Sequence, residues 1–265
     1  MTTATLADGT EVFCLDRSEA LVLDRHVHGY LEHGIEIRDG DVVLDVGANI
    51  GLFGIRAVQR FPAARVLAFE PVPDIYRVLA QNADRFGAGR MVTLPLGVAD
   101  APGRTRFTYF PNSPALSTSH PELWDRDGAS LARAVKGNIK AARKALWYAR
   151  FVPGFLSGWI AKRLKHGART VECDLVTISQ VIEQHDLPRI DLLKVDCEGG
   201  ELSVLQGIED AHWPRIRQVV VEVHDLDGRL EQVKNLLSRH GLCRIVAMKE
   251  EGFEDTPLIN VYASR

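Results

Sequence analysis

The sequence predicts an α/β fold built on a mostly parallel, doubly wound sheet. Three observations carry this expectation. Residues 42–46, Val-Val-Leu-Asp-Val, form a short and almost wholly apolar run, as in a strand covered on both faces. Strand-like and helix-like segments then alternate along the chain. The last two strand candidates, 243–248 and 258–263, are joined by a polar segment too short for a crossover helix, so they should pair antiparallel.

Taken in order, strand 42–46 leads through a glycine-rich turn into an apolar helix over 50–60. Strand 65–70, helix 73–86 and strand 91–97 follow, with Pro71 and Pro73 marking the start of the second helix. After an interruption at 112–168 come a strand near 170–174, a helix near 177–185, strand 191–196 and a helix from about 200. Strand 218–224 and helix 228–240 precede the closing pair. The chain therefore reads as one domain over 1–265, with a strand/helix extension at 1–40 and a basic helical lid inserted at 112–168.

At 265 residues, 46% hydrophobic and 25% charged, the composition is that of a folded soluble protein and excludes a disordered or disulfide-stapled chain. Four scattered cysteines show no metal-ligand spacing, and no leader-like or membrane-spanning run is evident, which predicts a reduced, cytoplasmic protein. The net charge of -3 argues against nucleic acid, but it averages two unlike regions. Between Arg126 and Arg169 there are eleven Lys/Arg and one acid, Asp127, giving this stretch +10 and the remainder -13.

The densest motif is Asp45-Val-Gly47-Ala-Asn49-Ile-Gly51, at the end of the first core strand and opening a helix. In open α/β sheets ligands bind at the carboxyl ends of strands. Gly47 and Gly51 permit a tight turn and close approach, and Glu70 ends the next strand where a carboxylate can take both hydroxyls of a ribose. Two ligands compete, a nicotinamide dinucleotide and S-adenosylmethionine. The dinucleotide fingerprint needs a glycine where Asn49 stands, and Asp45 repels a diphosphate but attracts a cationic ligand, so the residues favour the methyl donor. Val98 is a candidate contact to the base, with Asp100 beside it.

A second constellation, Lys194-Val-Asp196-Cys-Glu198-Gly199-Gly200-Glu201, ends the fourth core strand, and Glu222-Val-His224 ends the next. Adjacent parallel strands put Asp196, Glu198, Glu222 and His224 on the rim beside the cofactor motif. Methyl transfer to an alcohol requires loss of the hydroxyl proton. A neutral imidazole at His224, oriented by Glu198 or Glu222, is the candidate base. Asp196, Glu198 and His224 holding a divalent cation is an alternative, though no metal site is assigned.

These residues resemble the FkbM-type family of S-adenosylmethionine-dependent methyltransferases: Val43 to Gly51, Phe69-Glu70-Pro71, and Leu193 to Glu201 followed by Val204-Leu205-Gln-Gly207. Cys197 and Gly200 depart from the more usual valine and alanine. The resemblance implies a Rossmann-like class I methyltransferase fold, with a mostly parallel sheet and an antiparallel C-terminal strand. It also implies O-methylation of natural products or sugars, with Asp45, Gly47, Asn49 and Glu70 on the methyl donor and Asp196, Glu198, Glu222 and His224 at the reaction centre.

Within the insertion, apolar residues recur from Leu131 through Val135, Ile139, Ala142 and Leu146 at helical spacing, with Arg133, Lys136, Lys140 and Arg143 as a second stripe. This is the pattern of a lid helix with a solvated basic face. The same stripe would suit an acidic carrier domain presenting a tethered substrate, or a membrane surface.

Overall fold

The computed structural model describes residues 2–124, 163–249 and 256–265. The lid helix expected from Leu131 and its basic stripe lie outside the described residues. An antiparallel hairpin, β1 (Thr2–Thr5) and β2 (Glu11–Cys14), precedes helix α1 (Arg17–His26). Asp16 caps α1, its side chain accepting a hydrogen bond from the Glu19 amide. A 3-10 turn, Val27–Leu31, continues α1 toward the sheet.

The central sheet has seven strands in the order β11 (Arg244–Met248), β12 (Leu258–Ser264), β10 (Gln218–His224), β9 (Leu192–Val195), β3 (Val42–Val46), β4 (Arg65–Phe69), β5 (Met91–Leu94). The five strands from β10 to β5 are parallel, and β12 runs antiparallel to both β10 and β11. All seven were expected from the sequence, as was the antiparallel end. Helices α2 (Leu52–Arg60) and α3 (Pro73–Phe86) cross between β3, β4 and β5; α5 (Glu201–Gln206) leads from β9 toward β10, and α6 (Arg229–Arg239) follows β10. The chain thus winds one way from β3 and the other way from β9. The carboxyl ends of these two neighbours form the topological switch point where such sheets take ligands.

Two local expectations change. The strand expected over 91–97 stops at Leu94, because Pro95 cannot continue the ladder. Gly97–Val98 (β6) instead joins a separate three-stranded sheet with β8 (Arg169–Val176) and β7 (Gly103–Tyr109), in the order β6-β8-β7. The strand near 170–174 is therefore not a core strand. Its Cα partners lie on β7, whose alternation of Thr105, Phe107 and Tyr109 with Arg104, Arg106 and Thr108 is that of a half-covered antiparallel strand. Helix α4 (Ile178–Gln184) starts with a capping box between Thr177 and Gln180.

Candidate active site

The β3–α2 turn is drawn tightly against the end of β9. Gly47 has φ 74°, and a Cβ placed on it would lie 1.7 Å from the Asp196 carbonyl oxygen, so no other residue fits without moving the backbone. Asn49 occupies the left-handed region at φ 50°, a conformation asparagine tolerates, and its side chain accepts from the Ile50 amide. Its own amide donates to Glu70 Oε2 at 3.1 Å, and the Val72 amide donates to Oε1 at 2.9 Å. These bonds fix Glu70 at the tip of β4 while leaving acceptor capacity on both oxygens. Burial pushes its carboxyl up to about 7, against the two amides that lower it.

A cavity of about 390 Å³ opens over this rim, lined by Gly47, Asn49, Glu70 and Val98 on one side and by Asp196, Glu198 and Glu222 on the other. Two expected cofactor contacts do not line it. Gly51, at φ 89°, serves the turn into α2, where a Cβ would meet Leu79 and Met91. Asp45 is fully buried beneath the turn, its Oδ1 3.1 Å from Lys194 Nζ. Burial pushes the Asp45 carboxyl up and Lys194 opposes that shift. Lys194 also donates to the Gly47 carbonyl at 2.9 Å, tying the pair to the turn above. Asp100 lines the cavity near Val98 and accepts from Ser203 at 2.7 Å.

Asp196 accepts from the Tyr30 hydroxyl at 2.7 Å and lies 3.7 Å from Lys194. Burial works against its charge, but Lys194, His26 and Tyr30 together hold its carboxyl below the usual range. His224 is placed differently from expectation. It shares a sheet face with Glu222, yet sits behind the cavity wall, with Nε2 3.3 Å from Glu198 and Nδ1 3.3 Å from Glu201. Burial favours the neutral ring, but the flanking carboxylates prevail and raise its pKa well above 6.5. With both ring nitrogens facing carboxylates and no place on the cavity lining, His224 joins the 198–201 turn to β10.

Two histidines line the cavity: His120, whose Nδ1 faces Glu122 at 3.1 Å, and His26, at the end of α1, with Nε2 3.0 Å from Glu222 Oε2. The His26 ring stands edge-on to Tyr30, 5.1 Å between centroids. His26 and Tyr30 were missed because they lie far upstream of every motif, and their four-residue helical spacing was the one available signal. Among the described residues no group of three or more His, Cys, Asp or Glu is arranged to hold a metal ion. Of the residues named for a cation, Asp196 lies 3.7 Å from Lys194 and Glu198 lies 3.3 Å from His224.

The profile of the FkbM methyltransferase domain matches residues 45–243. The chain belongs to this family. Among its relatives, the 31-O-demethyl-FK506 methyltransferase FkbM of Streptomyces tacrolimicus is 38% identical over 99% of this chain and 96% of its own length. Methyltransferase sdnD of Sordaria araneosa is 31% identical, over 89% of this chain and 86% of that one. The AMB antimetabolite synthetase AmbE of Pseudomonas aeruginosa is 35% identical over 89% of this chain, which corresponds to 11% of the synthetase. Among solved structures, precorrin-6y C5,15-methyltransferase of Geobacter metallireducens has a TM-score of 0.44 at 15% identity, covering 92% of this chain and 88% of that one.

The FkbM-family chain is an S-adenosyl-L-methionine-dependent methyltransferase of class I fold. The residues present fit that cofactor: the Gly47 turn, drawn against the end of β9, and Glu70, at the neighbouring strand end, both line the cavity, and Glu70 keeps acceptor capacity for ribose hydroxyls. Ribose hydroxyls donating to Glu70 favour its ionised form. S-adenosylhomocysteine affinity is therefore expected to weaken as pH falls through about 7, and Glu70→Gln to bind weakly without that dependence. Calorimetric titrations at about pH 6 and pH 8 check this. Equal wild-type affinity at both would remove Glu70 from the cofactor contact.

Proposed function

We propose that the enzyme methylates a hydroxyl oxygen of a natural-product or sugar acceptor, with the His26–Glu222 pair receiving the proton. The single observation that carries this reading is that pair, 3.0 Å apart on the cavity wall. When bound, S-adenosylmethionine supplies a methyl carbon attached to a positive sulfur. The acceptor oxygen forms a bond to that carbon as the carbon–sulfur bond breaks, and the hydroxyl proton passes to the imidazole–carboxylate pair. Glu222 keeps the ring in place and stabilises the charge it gains. Asp196, held by Tyr30 and Lys194, adds fixed negative charge beside the reaction centre, which favours a cationic donor.

The relative named for 31-O-demethyl-FK506 supports an oxygen acceptor. The relative in which the matching region is one part of a synthetase supports delivery by an acidic carrier domain, for which the +10 stretch at 126–169 offers a complementary charge. Transfer of a labelled methyl group to a panel of free and carrier-bound alcohols tests both. The product should be an ether, and label found on nitrogen or carbon would overturn the reading. Neutralising Arg133, Lys136, Lys140 and Arg143 should slow carrier-bound turnover at low salt; unchanged rates there would remove the carrier. Turnover is expected to persist in excess chelator, and a loss restored by magnesium would reinstate a metal.

A further inference from the structure

Asn260, on β12, is 7% exposed and lines the cavity, yet its Oδ1 is buried without a hydrogen-bond partner among the described residues. A buried amide left unsatisfied destabilises the protein, and such a group in a native structure requires a reason. Its place in the sheet supplies one. Asn260 stands directly opposite Glu222 in the β10–β12 register, so the two side chains leave the same face with Cβ atoms about 4.5–5.5 Å apart. Besides His26, apolar residues share the cavity lining with them, among them Leu258, two residues along the same strand, and Val22 and Leu23 of α1.

We propose that Asn260 is a specificity-determining contact for the methyl acceptor, reading a second hydrogen-bonding substituent, a hydroxyl or an amide, on a carbon close to the methylated hydroxyl. This deepens the proposed function and rests on it. A carboxamide both donates and accepts, so a neighbouring hydroxyl satisfies it with one hydrogen bond given and one taken. The acceptor hydroxyl then faces Glu222 and His26 while its neighbour faces Asn260. An acceptor lacking the second group leaves the amide unsatisfied in the complex. That is the situation in which a polar site discriminates most strongly against a deleted group.

The test uses the full chain with S-adenosylhomocysteine bound, and two readouts. In thermal unfolding, Asn260→Leu should raise Tm by a few degrees, roughly what removing an unpartnered buried amide yields; a structural role for Asn260 would lower it. In NMR titrations with methyl glucoside and its single-deoxy analogues, at least one deoxy compound should bind wild type about tenfold to a hundredfold more weakly than the parent. That difference should vanish in Asn260→Leu. A lowered Tm, or equal responses of wild type to all probes including none, overturns the proposal. Absence of S-adenosylhomocysteine binding to wild type would instead overturn the cofactor site on which it rests.

Discussion

Glu222→Gln is expected to lower kcat by about 10²- to 10⁴-fold while S-adenosylhomocysteine affinity stays within about threefold. The amide keeps the shape of the wall but can neither hold the ring as an anion does nor stabilise its positive charge. Each tenfold loss is about 1.4 kcal/mol, so the barrier should rise by roughly 3–5 kcal/mol, within what a positioned base supplies. His26→Gln attacks the same pair from α1, 3.0 Å away. Groups that act as a unit are not additive, so the double variant should be little slower than the worse single one. Steady-state and single-turnover rates on the acceptor found by labelling check this. An unchanged kcat, or a cofactor affinity that collapses with it, would move proton transfer away from this wall.

Lys194→Met should cost about 3–5 kcal/mol of stability, because removing one member of a buried ion pair strands the other. Asp45 has no exposure, and Lys194 is the main influence opposing the burial that raises its pKa. Total stabilities are typically 5–15 kcal/mol, so the loss is a large share. The sign with pH follows. With lysine gone, the folded-state pKa of Asp45 rises further above its ordinary value of 3.8, so the destabilisation is full at neutral pH. It should shrink as pH falls through the raised pKa toward 3.8, where the carboxyl is protonated in both states. Denaturant unfolding at two pH values measures it, and Asp45→Asn in the same chain should recover most of the loss. A cost below about 1 kcal/mol would show that the pair contributes little beyond its own desolvation.

The central sheet was legible because buried parallel strands such as Val42–Val46 and Leu192–Val195 are apolar but for Asp45 and Lys194, a signal carried by each segment alone. Glu70 was legible for the same reason, as the residue at the end of such a strand. The small β6-β8-β7 sheet was not, since its strands are covered on one face and its first member is two residues long. Gly51 shows the limit of motif reading: its glycine is required, but by Leu79 and Met91 rather than by a ligand. His224 shows another. Alternation put it correctly on the face of Glu222, while its charge state depends on Glu201, three positions beyond Glu198 and brought round by the turn into α5. Placing His26 requires knowing where α1 crosses β10, a long-range packing outcome that no local pattern records.

The Asn112 side chain donates to the carbonyls of Arg163 and His166, at 3.2 and 2.9 Å, joining the two ends of the segment that departs and returns around residues 125–162. Thr118, just inside that clasp, donates to the Glu198 carbonyl beside the reaction centre. The described ends of that segment are therefore pinned to one another and, through Thr118, to the turn after β9, so the spacing of β7 and β8 is fixed by contacts outside residues 125–162. Sequence change between those ends is thereby uncoupled from the strand ends that carry Gly47 and Glu70, which answer to the packing of the central sheet.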